Sequence, residues 1–240
     1  MRQASKNIMI RKEIKMYLKD IVAKYSPNIK VKNNFFTIGI TGNIASGKST
    51  FAQQLKKELK LIFPDEKIEV ISTDDFLFNN QYLIKKKLFN EKGWLSSYDQ
   101  EKIMTFFNDL EISHQASIKG CYSQVTGDIE DECYFIDFPT ILIVEGTMTL
   151  TELFSSYIDY SIYLEVDLTT NYRWFEKRSL ENLKTKKEYT HLTKNRAKPL
   201  IKTIWEITNL KTFETYILPH KSCANLCVNL DSNHQISYVI

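Results

Sequence analysis

The sequence predicts an α/β fold, a doubly wound and mainly parallel sheet with flanking helices, and three observations carry that expectation. An apolar, β-branched run (Phe35–Ile40) leads through a glycine-bracketed loop into a run with helical spacing (Thr50–Leu59). A second run, Thr140-Ile141-Leu142-Ile143-Val144, is apolar throughout, as a central parallel strand covered on both faces must be. Strand patterns then alternate with helix patterns to the end of the chain, the order that builds a parallel sheet with ligands beyond its strand C-termini.

Taken in order, residues 1–34 hold Ile10, Ile14, Tyr17, Ile21 and Tyr25 at helical spacing among charged residues, an amphipathic helix expected to pack on the body. The loop after the first strand, Gly42-Asn43-Ile44-Ala45-Ser46-Gly47-Lys48-Ser49, is a complete G-x-x-x-x-G-K-[ST] string, followed by Thr50. Strand, loop and helix N-terminus together aim backbone N–H groups at anionic oxygens. In such a P-loop NTPase fold the lysine, Lys48, reaches the β- and γ-phosphates and the hydroxyl of Ser49 ligates Mg²⁺, so ATP and Mg²⁺ are the expected cofactors. Ile68–Thr73 reads as a strand, Asp74 to Asp99 as a polar, aromatic connection, and Ile103, Phe106, Phe107 and Leu110 as one helix face. Cys121–Val125 and Tyr134–Ile136 look like two arms of a small excursion. Ile158–Leu164 is a further strand, helices follow to about Lys184 and from Thr193 to Asn209, and Leu226–Val228 is the expected last strand.

A chain of 240 residues with 43% hydrophobic content can bury one substantial core, so a single domain is expected: the N-terminal helix (1–34) and a core spanning 35–240. The 32 basic and 29 acidic residues leave +3, too little for nucleic acid, and Lys85-Lys86-Lys87 reads as a solvated face. No apolar stretch approaches the ~20 residues of a membrane span. No signal-peptide core opens the chain, and its 4 cysteines lack paired C-x-x-C spacing, which fits reduced thiols and the cytoplasm.

Two acids stand just past strand ends. Glu145 closes the apolar run and is followed by Gly146, where a carboxylate serves Mg²⁺ directly or through water. Asp74 can accept the proton of an attacking hydroxyl; Asp75 is its rival, with turn capping as the plainer role. Transfer of a phosphoryl group also needs further positive charge. Arg173, Lys177, Arg178, Lys184, Lys186 and Lys187 offer it, and spacing alone does not choose among them.

Ser72-Thr73-Asp74-Asp75-Phe76-Leu77, Asn80 and Gly93-Trp94-Leu95-Ser96-Ser97-Tyr98-Asp99 resemble the T-T-D-G-F-L…N…G-F-P-E-S-Y-D signature of bacterial type I pantothenate kinases. The resemblance continues in Tyr122-Ser123, Ile141–Gly146, Asp159–Tyr163, Leu192-Thr193-Lys194, Trp205 with Asn209, Ile217-Leu218-Pro219 and Asn233-His234. It implies ATP-dependent phosphorylation of the primary hydroxyl of pantothenate, the first step towards coenzyme A, by a homodimer. It further implies Asp74 as base, Lys48 and Arg178 as cations on the transferring phosphate, and Ser49 and Glu145 on Mg²⁺. Tyr122 and Asn209 would hold the acceptor, and His234 would lie against adenine.

The chain also departs from that pattern. Gln124 stands where the family has histidine, Phe175 where it has tyrosine, and Ser179 where it has an aromatic; the segment before the phosphate loop is shorter than usual. Gln124 and Phe175 still belong to the expected acceptor pocket. These changes leave open a kinase of the same fold acting on another small hydroxyl compound, such as a pantothenate derivative or a nucleoside. They leave open, less favourably, a nucleotide-binding paralogue without turnover.

Overall fold

The computed structural model describes residues 35–184 and 192–239. The amphipathic helix expected within 1–34 and the cations Lys186 and Lys187 lie outside the described residues. One six-stranded sheet organises the rest. Its strands are β1 (Phe36–Gly42), β2 (Ile68–Ser72), β5 (Ile141–Glu145), β6 (Tyr160–Val166), β7 (Leu226–Leu230) and β8 (Ile236–Val239), in the order β2-β5-β1-β6-β7-β8. Every neighbouring pair is parallel except β7 and β8. A separate antiparallel hairpin, β3 (Gln115–Ser123) and β4 (Asp128–Asp137), forms the excursion expected between the first helices and the central strand.

Period-two alternation sends the central strands to two cores. Ile38, Ile40, Ile141, Ile143, Ile162 and Val228 pack under Leu55 and Leu59 of α1 (Lys48–Ile62). Leu142 and Val144 turn to the opposite face, against Phe76, Phe154 and the Phe106, Phe107 and Leu110 side of α3 (Gln100–Ser113). All residues of β1 and β5 are buried, and neither strand carries a charged side chain before Glu145. Ala116, Ile118 and Ile136 seat the hairpin in the second core.

The Asp74–Asp99 connection is more ordered than a loop. It holds a 3₁₀ turn (Thr73–Phe76) and α2 (Asn80–Lys85), capped by Asn79, whose Oδ1 accepts from the Tyr82 N–H at 2.8 Å. Lys85, Lys86 and Lys87 are exposed, as a solvated face requires. The sheet does not end at Leu226–Val228 as expected. Asp231 Oδ1 accepts from the N–H groups of Asn233 and Gln235 at 2.8 and 2.9 Å, and this Asx turn folds β8 back onto β7. With only four residues, Ile236 to Val239, β8 is too short for its periodicity to be read from sequence.

After β6, Asp167 caps α4 (Leu168–Glu181) by accepting from the Thr170 N–H. Then α5 (Lys194–Ile204) runs on through a π-helical turn at Trp205–Asn209, a short α turn and a second π turn at Phe213–Ile217. Among the described residues no helix is long and apolar enough to cross a membrane.

Candidate active site

At the C-terminal ends of β1, β2 and β5 the strands open into a cleft of about 1570 Å³. One wall is the phosphate loop. Gly47 takes φ 87 at the start of α1, a backbone state glycine enters without penalty, and the loop closes on itself through Ser46 N–H to Asn43 O at 3.1 Å. The Lys48 ammonium donates to Gly42 O and Asn43 O at 3.1 and 3.0 Å, held over the loop in readiness for an anion. Burial lowers its pKa to about 8, against the opposing pull of Glu145 and Asp74. Among the described residues Asn43 Nδ2 and Ser46 Oγ are buried without a hydrogen-bond partner, donors that an anionic ligand can satisfy.

Strand ends bring the acids in. Glu145 pairs in register with Ile40 of β1 and Ser72 of β2, and its Oε1 accepts from Ser49 Oγ at 2.7 Å. Gly146 permits this convergence, because a Cβ there would stand 1.7 Å from Thr73 Oγ1. Asp74 follows on the 3₁₀ turn, whose N-terminus is capped by Ser72 Oγ, the acceptor for the Asp74 N–H at 3.3 Å. Burial raises the Asp74 carboxyl above the usual aspartate range, Lys48 and Arg178 pulling it down and Asp75 pushing it up. Burial likewise raises Glu145.

Among the cations left open by spacing, Arg178 stands apart. It is partly buried, lines the cleft and interacts electrostatically with Asp74, whereas Arg173 and Lys177 are exposed on its rim. Burial lowers the Arg178 pKa, with Asp74 opposing, yet a guanidinium keeps its charge at any working pH. Tyr122 and Gln124, at the end of β3 and in the hairpin turn, line the same cleft, as do Phe175 and Asn209. Phe175 packs on Trp205 with ring centroids 5.4 Å apart. Asn209 sits in the first π turn, 7% exposed, with Nδ2 unpartnered. Ile44, Ala45, Thr50 and His234 complete the loop side. His234 stacks on Trp174, centroids 3.6 Å apart at 18°, and burial lowers its pKa, so the imidazole is neutral near pH 7.

Three contributors were not singled out from sequence. Asn171 on α4, fully buried, donates from Nδ2 to Ile44 O at 2.9 Å and braces the phosphate loop from 127 residues away. Lys92 lines the cleft, donates to Asn80 Oδ1 at 2.6 Å and to Gly127 O, and lies 5.2 Å from the Tyr122 ring centroid. Trp174 supplies the stack on His234. Lysine within a Lys-rich stretch and polar residues on a helix carry no motif, so only the fold assembles them. Asp75 serves neither as the turn's cap nor as part of the cleft wall. Its carboxylate faces the hairpin, 2.8 Å from both the Tyr122 N–H and the Tyr134 hydroxyl.

A loop that cradles anions, a buried carboxylate, two cations and a buried amide, all lining one cleft, can together carry phosphate from a nucleotide to a hydroxyl. Comparisons with known proteins agree. A family profile described as an AAA domain matches residues 38–196. The pantothenate kinase of Vibrio cholerae serotype O1 is 32% identical over 224 residues, covering 85% of this chain and 72% of that protein. The pantothenate kinase of Ligilactobacillus salivarius is 30% identical over 223 residues, covering 87% and 73%. Among solved structures, a D-glycerate 3-kinase from Cryptococcus neoformans superposes with a TM-score of 0.67 at 13% identity, over 95% of this chain and 98% of that one. A putative fructose transport system kinase from Silicibacter gives 0.63 at 18%, over 77% and 86%. At such identities the structures speak to the fold alone, and that fold is the P-loop kinase fold; with the sequence relatives, it makes this chain a member of the pantothenate kinase family and an ATP-dependent small-molecule kinase.

Proposed function

We propose that the protein phosphorylates the primary hydroxyl of pantothenate, the first step towards coenzyme A. The observation that carries this reading is the meeting of Asp74, Lys48 and Arg178 in a cleft that Tyr122 and Asn209 also line. The relatives named pantothenate kinase support the choice of acceptor.

In this reading Asp74 accepts the proton of the acceptor hydroxyl as its oxygen attacks the γ-phosphorus. Its raised proton affinity suits a base that must take up that proton and later release it. Lys48 and Arg178 balance charge on the transferring group and the departing ADP. Gly42 to Thr50 cradle the phosphates, and His234, backed by Trp174, offers its free face to adenine. Ser49 and Glu145, two oxygen donors already 2.7 Å apart, fit a hard cation completed by phosphate oxygens and water, and would hold Mg²⁺. Bound there, Mg²⁺ would neutralise phosphate charge. Tyr122 and Asn209 hold the acceptor, with Gln124 and Phe175 beside it.

A cytoplasmic place, a single kinase domain over 1–240 and a homodimer belong to the same proposal. Free Cys223 and Cys227 support the first, and the continuous six-stranded sheet supports the second.

A second reading, the same chemistry on an uncharged acceptor, is favoured by Gln124 and Phe175. The first cannot become a cation facing a carboxylate, and the second cannot donate a hydroxyl hydrogen bond. An assay with ATP and Mg²⁺ across pantothenate, pantetheine and nucleosides decides between them. The primary reading expects pantothenate to have the highest kcat/KM; a clear preference for pantetheine or a nucleoside overturns it.

A further inference from the structure

We propose that Asp75 is a positioning residue that pins the β3–β4 hairpin to the turn carrying Asp74, so that acceptor binding depends on a carboxylate outside the cleft wall. The inference rests on the proposed function, in which Tyr122 meets the acceptor and Asp74 the reacting hydroxyl.

The contacts are specific. Asp75 Oδ1 accepts from the backbone N–H of Tyr122, and Oδ2 accepts from the Tyr134 hydroxyl, each at 2.8 Å. These bonds reach both strands of the hairpin, one residue from the base on one side and at the acceptor tyrosine itself on the other. The residue is only 7% exposed, so the bonds are made out of water, where losing a partner is most costly. Burial and the neighbouring Asp75 charge push the Tyr134 hydroxyl far above the usual tyrosine range, which keeps it a donor at every working pH.

A second strap runs in parallel. Lys102 of α3 donates to Asp75 O at 2.6 Å and to Gly120 O at 3.1 Å, tying the turn to the β-bulge that lies just before Tyr122. The hairpin forms its own two-stranded sheet and shares no ladder with the six-stranded one. Its placement over the strand ends therefore depends on side-chain packing and on bonds such as these. The signature that the chain resembles has glycine at this position, which could supply neither carboxylate bond.

The test uses the full chain. Asp75→Ala should raise the acceptor KM roughly tenfold, as expected for a lost buried partner, while the ATP KM stays within about twofold. Amide hydrogen exchange at Tyr122 should quicken in the same variant. Asp75→Asn keeps an oxygen for the Tyr122 N–H, and its amide can donate to the Tyr134 oxygen, so acceptor KM and exchange should both return close to wild type. Should Asp75→Ala fold poorly, Tyr134→Phe removes only one bond and should raise acceptor KM by about threefold.

An unchanged acceptor KM in Asp75→Ala, an equal rise in both KM values, or an Asp75→Asn protein as impaired as Asp75→Ala overturns the proposal. The exchange measurement needs no turnover. If wild-type protein acts on none of the acceptors, the functional reading fails. Faster Tyr122 exchange in Asp75→Ala, restored in Asp75→Asn, would then still uphold the anchor, and unaltered exchange would overturn it.

Discussion

Two sets of residues that line the cleft are built in opposite ways. The phosphate loop is a contiguous string, Gly42 to Thr50, that supplies its own turn, its own helix N-terminus and the carbonyls that hold Lys48. The residues proposed to meet the acceptor are drawn from distant elements, Tyr122 and Gln124 from a separate hairpin, Phe175 from α4 and Asn209 from a π turn. Phosphate is the same in every reaction of this kind and can be met by a local, backbone-built nest. Acceptors differ, and a pocket assembled from side chains on distant elements can change without disturbing the nest.

Substitutions can break this contrast. Asp74→Asn should lower kcat by about 10²–10⁴-fold with little change in ATP affinity, because the amide keeps the shape but takes no proton. Single-turnover kinetics with a nucleotide-binding titration check it, and a mild Asp74→Asn would remove the base. The wild-type rate should also fall on the acid side at a pH above the ~4 of an ordinary aspartate. The sign comes from burial: it raises the Asp74 pKa, the working base is the ionised form, and activity is lost as pH drops through that raised value. A kcat profile flat down to pH 4 would contradict this.

Lys48→Ala should cost roughly 10²–10³-fold in kcat, the scale of a removed charge donor at the transition state, while the melting temperature stays near wild type. Asn209→Ala should act on the other set, raising acceptor KM by about tenfold at unchanged ATP KM, if its Nδ2, buried without a partner among the described residues, donates to a substrate oxygen as proposed. Equal effects on both KM values would mean that the two sets are not separable. The smallest effect is expected from Phe175→Tyr combined with Gln124→His, a few-fold gain in kcat/KM for pantothenate relative to pantetheine. A wild-type enzyme already efficient on pantothenate, with the pair no better, would sink the specificity argument and leave the simpler assignment.

The same contrast explains what could be read from sequence. The phosphate loop, the apolar central strand ending in Glu145 and the Asp74 turn are local strings whose meaning does not depend on the rest of the chain. The amphipathic face Ile103–Leu110 and the two arms of the hairpin were legible for the same reason, since periodicity is a local property. Asn171 and Lys92 act across the fold, on Ile44 and on the Tyr122 side of the cleft, and nothing in their neighbours announces it. β8 was missed because a four-residue strand at a sheet edge is defined by its partner and by the Asp231 turn. Asp75 had two plausible roles by residue type, base and cap; Ser72 takes the cap, and the bonds that Asp75 makes instead were not legible because the hairpin it meets lies some 47 residues on.

The π turn at Trp205–Asn209 bears on how such a protein could change over time. A π turn amounts to one extra residue let into an α-helix, at the expense of local stability. Deleting one residue there, for instance Ile207, which is 66% exposed, would let the helix close regularly. It would leave the helix on either side in phase, because the wide turn absorbs the extra residue instead of passing it on as rotation. The irregularity is thus a local insertion: a lineage could gain or shed it by rebuilding the backbone around Glu206 to Thr208 while Trp205 keeps its place on Phe175.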